Sequence, residues 1–169
     1  DSGLHLPDFR SGERTFQLVT QVSGRAGRGE VDGHVILQTY TPYHFALQTA
    51  IKHDFTAFYA EEFPSRQMLA FPPCTHLAIV HFRSTDFELA RQAAEDFSAE
   101  AVPLLPEGTQ VIGPMPAPLA KVKTYHRFQL LLRGEKILAI IRVIRPRVVG
   151  CKPPKNVDIH IDVDPRSLL

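Results

Sequence analysis

Residues 77–83 read Leu-Ala-Ile-Val-His-Phe-Arg, a mostly apolar run with β-branched and aromatic side chains. Such side chains are enriched in strands, and an apolar run without alternation indicates a strand that is buried on both faces. Thr85 and Glu88 follow with the spacing of a capping box, which places the start of a helix directly after the strand. We therefore expect a central strand followed by a helix.

The residues after the capping box predict one amphipathic helix. Its apolar residues recur at i, i+3, i+4, i+7 and i+11 and so share one face: Ala90, Ala93, Ala94, Phe97 and Ala101. Pro103 and Pro106 then end the helix. Residues 110–113 predict a short strand, and the proline-rich residues 114–118 predict a rigid loop.

The rest of the chain predicts two further strands around a second helix. Residues 125–133 alternate, with His126, Phe128, Leu130 and Leu132 on one face and Tyr125, Arg127, Gln129, Leu131 and Arg133 on the other. Residues 135–145 predict a helix that Pro146 limits, and residues 157–163 alternate again. This order predicts an α+β fold with a ferredoxin-like βαββαβ domain, in which two helices cover one side of an antiparallel sheet.

The N-terminal part of the chain predicts a helix and a strand. Residues 13–24 place Phe16, Val19 and Val22 close to helical spacing, and residues 33–40 are β-prone. A short helix over residues 43–53 should follow.

A connector helix is predicted next, over residues 55–69. Asp54 would cap it, and Pro64 would kink or divide it. Phe71-Pro72-Pro73 would end it, so the chain divides into segments 1–53, 54–73 and 74–169.

Composition is that of an ordinary globular protein, because 44% of the 169 residues are hydrophobic and the net charge is +1. Any nucleic-acid contact would therefore come from a local basic patch. No apolar run is long enough for a membrane span. Cys74 and Cys151 lack C-x-x-C spacing, which favours free thiols of a cytoplasmic protein over a zinc site or a disulfide.

Residues 21–29 form a glycine- and arginine-rich motif of the form Q-x-x-G-R-x-G-R. Arg25 and Arg28 carry planar donor groups that suit phosphate oxygens, and the glycines allow close approach of a ligand. The alternative is a solvated basic helix end followed by a glycine turn. The rest of the sequence decides between the two.

Several motifs together resemble the primosomal protein N′ family of bacterial replication-restart helicases. They are H-L-P-D-F-R at 5–10, E-R-T-F-Q-L at 13–18, the motif at 21–29, Q-T-Y at 38–40, F-P-P at 71–73, G-P at 113–114, A-P at 117–118 and I-D-V-D-P at 161–165. The resemblance spans nearly the whole chain and matches the C-terminal quarter of such a helicase. The motif at 21–29 resembles the last conserved motif of superfamily-two helicases.

The resemblance implies a function and a set of ligands. Segment 1–53 would be the tail of the second RecA-like lobe, and segment 74–169 the C-terminal domain that binds DNA or partners. Arg28 would be the arginine finger on ATP, with Arg25 as its partner and Gln21 coupling nucleotide state to the lobe interface. The implied partners are forked and single-stranded DNA, the single-stranded-DNA-binding protein and other primosome proteins, with no membrane. Location would be the cytoplasm, at the nucleoid.

The chain lacks parts that such a helicase needs. It contains neither a G-x-x-x-x-G-K-[ST] loop nor a D-E-x-H box, so ATP and Mg²⁺ would be held elsewhere in the parent protein. The family's zinc-binding cysteines would also lie upstream. Pro64 and Cys74 depart from the family's pattern in detail. We therefore expect the isolated chain to be inactive as an ATPase.

A second candidate site joins basic and aromatic side chains: Lys121, Lys123, Tyr125, Arg127 and Arg133. Such a surface can stack bases and neutralise the phosphates of single-stranded DNA. The alternatives are a solvated strand face, a cover for neighbouring residues and a protein-binding surface. Two function classes thus stay open for this chain, a piece of a helicase motor and a non-catalytic binding module.

Acidic residues and one histidine alternate near the C-terminus: Asp158, His160, Asp162 and Asp164. Alternation places their side chains together, which is one requirement of a metal site. No second cluster of ligands completes such a site, so a solvated strand face is the favoured interpretation. We assign no metal-binding residues.

Overall fold

A computed structural model describes residues 1–26, 34–150 and 155–168 of the chain. It divides into two compact units, Asp1–Leu69 and Ala70–Leu169. Each unit has a hydrophobic core of its own. Among the described residues, no helix has the length and apolar character that crossing a membrane requires.

The first unit contains three helices: α1 (Ser11–Ser23), α2 (Phe45–Ile51) and α3 (Phe55–Met68). Asp54 caps α3 as predicted, because its Oδ1 accepts a hydrogen bond of 2.9 Å from the backbone N–H of Ala57. Phe16 of α1 stacks on Phe58 of α3, with ring centroids 4.6 Å apart. Alanines of α2 complete this core.

One prediction for the first unit is wrong, and one of the two alternatives in another prediction is excluded. Residues 34–39 form no strand, because the described part of the chain offers them no neighbouring strand to pair with. Of the predicted kink or division of α3 at Pro64, the division does not occur, because the helix continues to Met68. Arg66 donates to Oε1 of Glu62 with bonds of 3.0 and 2.9 Å, so an ion pair spans the proline and supports the helix there.

The second unit follows the predicted order of strands and helices. Its strands are β1 (His76–Ser84), β2 (Gln110–Val122), β3 (Tyr125–Gly134) and β4 (Val157–Val163), and its helices are α4 (Phe87–Ala101) and α5 (Ile137–Val149). The strands form one antiparallel sheet in the order β2-β3-β1-β4. The structure is therefore an α+β fold, with β1 and β3 at the centre of the sheet.

The core of the second unit lies between one face of the sheet and the two helices. The five apolar residues predicted for the buried face of α4 are all in this core. Phe82 is fully buried there and meets the ring of Phe97 edge to face, with centroids 5.4 Å apart. The cap of α4 is Asp86 rather than the predicted Thr85, since Oδ1 of Asp86 accepts from the N–H of Leu89 at 3.1 Å.

Prolines mislead the prediction twice in the second unit. Residues 114–118 belong to β2, which is an edge strand with register shifts between Ile112 and Met115 and between Pro116 and Lys121. An edge strand tolerates proline because its outer backbone groups need no partner strand. Pro146 lies inside α5, where only the last turn of the helix loses a hydrogen bond.

Candidate nucleic-acid interface

The sheet has one face against α4 and α5 and an opposite face, which we call the second face. Along β1, the second face is fully buried at Leu77 and Ile79, and His81 is 7% exposed. Arg83 follows with a side chain that is 47% exposed. On the two central strands, a ligand from solution therefore reaches the second face at the Arg83 end.

Arg83 is the centre of a charged and aromatic cluster at this accessible end. Its guanidinium lies over the ring of Tyr125, with Cζ 4.6 Å from the ring centroid. Its Nε and Nη2 donate to Oδ2 of Asp158 at 3.2 and 2.8 Å. The hydrogen bond to Asp158 raises the pKa of Arg83 further, so this arginine is always charged.

Arg127 lies directly opposite Arg83 in the register of β3 and β1. Two like charges in such a cross-strand pair repel each other. Arg83 has Asp158 as a counter-ion, whereas Arg127 makes no ion pair within the residues that the structure describes. The pair therefore leaves one positive charge unbalanced beside an exposed aromatic ring.

The predicted lysines lie at the tip of the β2–β3 hairpin. Lys123 lies in the turn, with a left-handed φ of 56°, and its side chain is exposed. It lies two residues before Tyr125 in the chain. Lys121 pairs with His126, so it lies on the face that carries α4 and α5 rather than with Tyr125. We call Arg83, Lys123, Tyr125 and Arg127 the arginine–tyrosine surface.

Arg133, which the sequence groups with these residues, lies apart from them. It is six residues beyond Arg127 on β3, which corresponds to about 20 Å along a strand. Its guanidinium packs over the ring of Phe71, with Cζ 5.0 Å from the centroid, and burial lowers its pKa. The structure therefore places Arg133 at the covered end of the second face.

Two histidines and a glutamine occupy the middle of the second face. The rings of His81 and His160 stack, and Gln129 lies opposite His81 on β3. Burial lowers the pKa of His81 to about 4, and the nearby His160 and Arg127 act in the same direction. The arginine–tyrosine surface thus adjoins a patch that is uncharged at neutral pH.

The motif at residues 21–29 lies only partly within the described residues. Gln21 lies exposed in the last turn of α1, and Arg25 follows the helix end, where its N–H donates to the carbonyl of Val22 at 3.1 Å. Both side chains line one open depression of the surface. Arg28, the predicted arginine finger, lies outside the described residues, so its role stays a prediction.

The alternating acidic residues of β4 have separate structural contacts. Asp158 binds Arg83, and Asp164 accepts from the N–H of Leu77 at 3.1 Å and contacts Nδ1 of His76 at 2.9 Å. His160 stacks on His81, and Asp162 is exposed. Over residues 1–26, 34–150 and 155–168, no group of histidine, cysteine and acidic side chains has the arrangement of a metal site.

Sequence reasoning missed Arg83 as part of the interface. Arg83 ends the apolar run at residues 77–83, and in the sequence it is more than 40 residues from Tyr125. Only the register of β1 against β3 brings the two together. The one signal in the sequence was the polar end of an otherwise apolar strand. Guanidinium groups beside an exposed ring can neutralise phosphates and accept a stacked base.

The second unit matches a known family of domains. The family model described as "Primosomal protein N C-terminal domain" matches residues 67–166. This range covers all strands and both helices of the second unit, including the arginine–tyrosine surface.

Whole-chain comparison finds proteins with one shared name. The chain is 37% identical to the replication restart protein PriA of Bacillus subtilis over 172 residues, a match that covers 100% of the chain and 21% of that protein. It is 38% identical to PriA of Synechocystis, covering 99% of the chain and 20% of the relative. It is 40% identical to PriA of Treponema pallidum, a match that covers 100% of the chain and 26% of the relative. The chain thus spans about a quarter or less of the length of these curated relatives.

Proposed function

The chain belongs to the PriA family of replication restart proteins, and from this membership we propose that it is the C-terminal part of an ATP-dependent 3′-to-5′ DNA helicase. Its parent protein would restart stalled replication forks and assemble the primosome. The match to PriA proteins over the full length of the chain supports this proposal. The cytoplasm, at the nucleoid, is the corresponding location.

We propose a separate role for each unit. The first unit would be the remnant of the second RecA-like lobe, with Arg28 as arginine finger and Arg25 and Gln21 beside it. ATP, Mg²⁺ and zinc would be bound by other parts of the parent protein. The second unit, whose strand order fits a ferredoxin-like sandwich, would be a binding domain without catalytic residues.

The ligand that we propose for the second unit is single-stranded DNA at a fork. The carrying observation is the cross-strand pair of Arg83 and Arg127 beside the exposed ring of Tyr125. Arginine forks suit phosphate oxygens, and an exposed ring can stack a base of any sequence. Lys123 at the hairpin tip would add one more phosphate contact.

A protein partner is the alternative ligand of the same surface. The single-stranded-DNA-binding protein and other primosome proteins are the candidate partners. This alternative keeps the non-catalytic binding role and changes only the ligand.

An unwinding assay tests the parent activity. The full-length protein should displace a strand from a forked duplex with a 3′ single-stranded arm when ATP and Mg²⁺ are present. It should not act on the same duplex with a 5′ arm alone. Unwinding of only the 5′-armed duplex, or unwinding without ATP, would contradict the proposed helicase function.

A further inference from the structure

Asp158 contacts the arginine–tyrosine surface but has the same charge sign as the proposed ligand. We propose that Asp158 is an autoinhibitory residue. Its carboxylate accepts the hydrogen bonds of the Arg83 guanidinium until a phosphate of single-stranded DNA replaces it. This inference rests on the proposed binding function and adds its regulation. The reasons lie in the geometry of Arg83.

The position of Arg83 does not depend on Asp158 alone. Its guanidinium Cζ lies over the Tyr125 ring, 4.6 Å from the centroid, so this cation–π contact also helps to hold the group in place. Both hydrogen bonds to Asp158 go to one oxygen, Oδ2. A phosphate oxygen can replace this single acceptor while the stack on Tyr125 stays in place.

The ion pair between Arg83 and Asp158 contributes little to folding. Its two side chains are 47% and 62% exposed, and solvent screens the attraction between charges that are so exposed. Replacement of Asp158 by a phosphate therefore requires little reorganisation of the protein. The phosphate would take the place of Asp158 beside the repelling pair of Arg83 and Arg127.

The chain offers a matched control for the charge of Asp158. Asp162 lies on the same strand and on the same face, four residues further on, and it is exposed. It pairs with Ile79 in the register rather than with Arg83. Asp158→Asn and Asp162→Asn therefore change the net charge equally, but only the first releases Arg83.

A second control concerns exposed arginine ion pairs in general. Arg91 on α4 forms ion pairs with Glu88 at 2.8 Å and with Glu95 at 2.6 Å, away from the second face. Glu88→Gln should leave DNA binding unchanged, because its partner arginine lies outside the proposed surface.

The test is a titration of a fluorescent single-stranded oligonucleotide with the full 169-residue chain, at low and at physiological salt. Asp158→Asn should bind about two- to fivefold more tightly than Asp162→Asn, which corresponds to about 0.4–1 kcal/mol. In an Arg83→Ala background, Asp158→Asn should have no further effect beyond that of Asp162→Asn. Thermal unfolding should show that all variants stay folded.

The possible outcomes distinguish a failure of the proposed autoinhibition by Asp158 from a failure of the proposed DNA-binding function. If Asp158→Asn and Asp162→Asn bind DNA with equal affinity and binding still depends on Arg127, the autoinhibitory role of Asp158 is refuted and the DNA-binding function is not. The autoinhibitory role is also refuted if Asp158→Asn increases the affinity for DNA by the full amount in the Arg83→Ala background. An absence of binding by the wild-type chain, or binding that Arg127→Ala leaves unchanged, would overturn both.

Discussion

The imidazole rings of His81 and His160 stack across β1 and β4, with centroids 4.6 Å apart and planes inclined by 17°. Burial lowers the pKa of His81 to about 4, and His160 and Arg127 act in the same direction. Burial also lowers the pKa of His160, with Arg83 acting alike and Asp162 and Asp158 opposing. Both rings are therefore neutral at pH 7.

This stack predicts a loss of stability in mild acid. Unfolded His81 takes up a proton near pH 6.5, whereas folded His81 does so only near pH 4. The unfolded state therefore binds more protons between these values, and the free energy of unfolding should fall as the pH falls from about 6.5 to about 4. The loss from His81 should be at most roughly 3 kcal/mol. Urea unfolding at a series of pH values measures it.

The variant His81→Gln isolates this effect, because glutamine does not titrate. Its unfolding free energy should change less between pH 6.5 and pH 4 than that of the wild type. His5→Gln, which removes an exposed histidine, should keep the wild-type dependence. An unchanged pH dependence in His81→Gln would show that other groups cause the acid sensitivity.

A backbone prediction concerns Gly113 in β2, which has a left-handed φ of 103°. A Cβ there would lie 2.8 Å from the carbonyl oxygen of Gln129 and 3.0 Å from the nitrogen of Met115. Because both are backbone atoms of the hairpin, Gly113→Ala should destabilise the second unit by about 2 kcal/mol or more. Chemical unfolding measures the difference.

Gly108 provides the matched control, since it has a φ of 83° but open space around the position of a Cβ. Gly108→Ala should therefore lose only the intrinsic backbone term of about 1 kcal/mol. Equal destabilisation by both substitutions would contradict the close packing of β2 against β3 at Gly113.

Much of the second unit is predictable from local patterns. The period of a strand or a helix depends only on its own backbone geometry, so a local pattern predicts which side chains share a face. This holds for the alternation at residues 125–133 and for the buried face of α4, which carries Ala90, Ala93, Ala94, Phe97 and Ala101. The prolines of β2, α3 and α5 are harder to interpret. The prolines of β2 are tolerated because this strand lies at the edge of the sheet, and an edge position is a tertiary feature.

The candidate interface is predictable only within a single strand. Tyr125 and Arg127 share a face by alternation, as the sequence predicts. Arg83 joins them through the register of β1 against β3. The covering of Arg133 depends on its contact with the ring of Phe71. A local sequence pattern does not encode the register between β1 and β3, nor which end of the second face other residues bury.

We proposed that ATP is bound by other parts of the parent protein. The isolated chain, which contains no Walker loop, should therefore not hydrolyse ATP. In the full-length protein, Arg28→Ala should lower kcat for ATP hydrolysis by at least ~10²-fold, because an arginine finger acts chiefly in the transition state. DNA binding should stay nearly unchanged. A phosphate-release assay with and without DNA measures kcat.

Arg91→Ala is the control for this substitution, because Arg91 on α4 is an exposed arginine with exposed partners, Glu88 and Glu95. Its kcat should stay within a few-fold of the wild-type value. Wild-type kcat in Arg28→Ala would show that Arg28 is not an arginine finger.

The central claim is that the arginine–tyrosine surface binds single-stranded DNA, and NMR titration of the full chain with an oligonucleotide tests it most directly. Amide signals of Arg83, Lys123, Tyr125 and Arg127 should shift, and the affinity should fall steeply with salt as phosphate counterions are released. Arg127→Ala should reduce the salt slope by about one, and Tyr125→Ala should weaken binding by ~1–3 kcal/mol. A short peptide rich in aspartate and glutamate, which represents an acidic protein tail, should leave these signals in place. Shifts caused by the peptide alone, or by neither ligand, would contradict the claim.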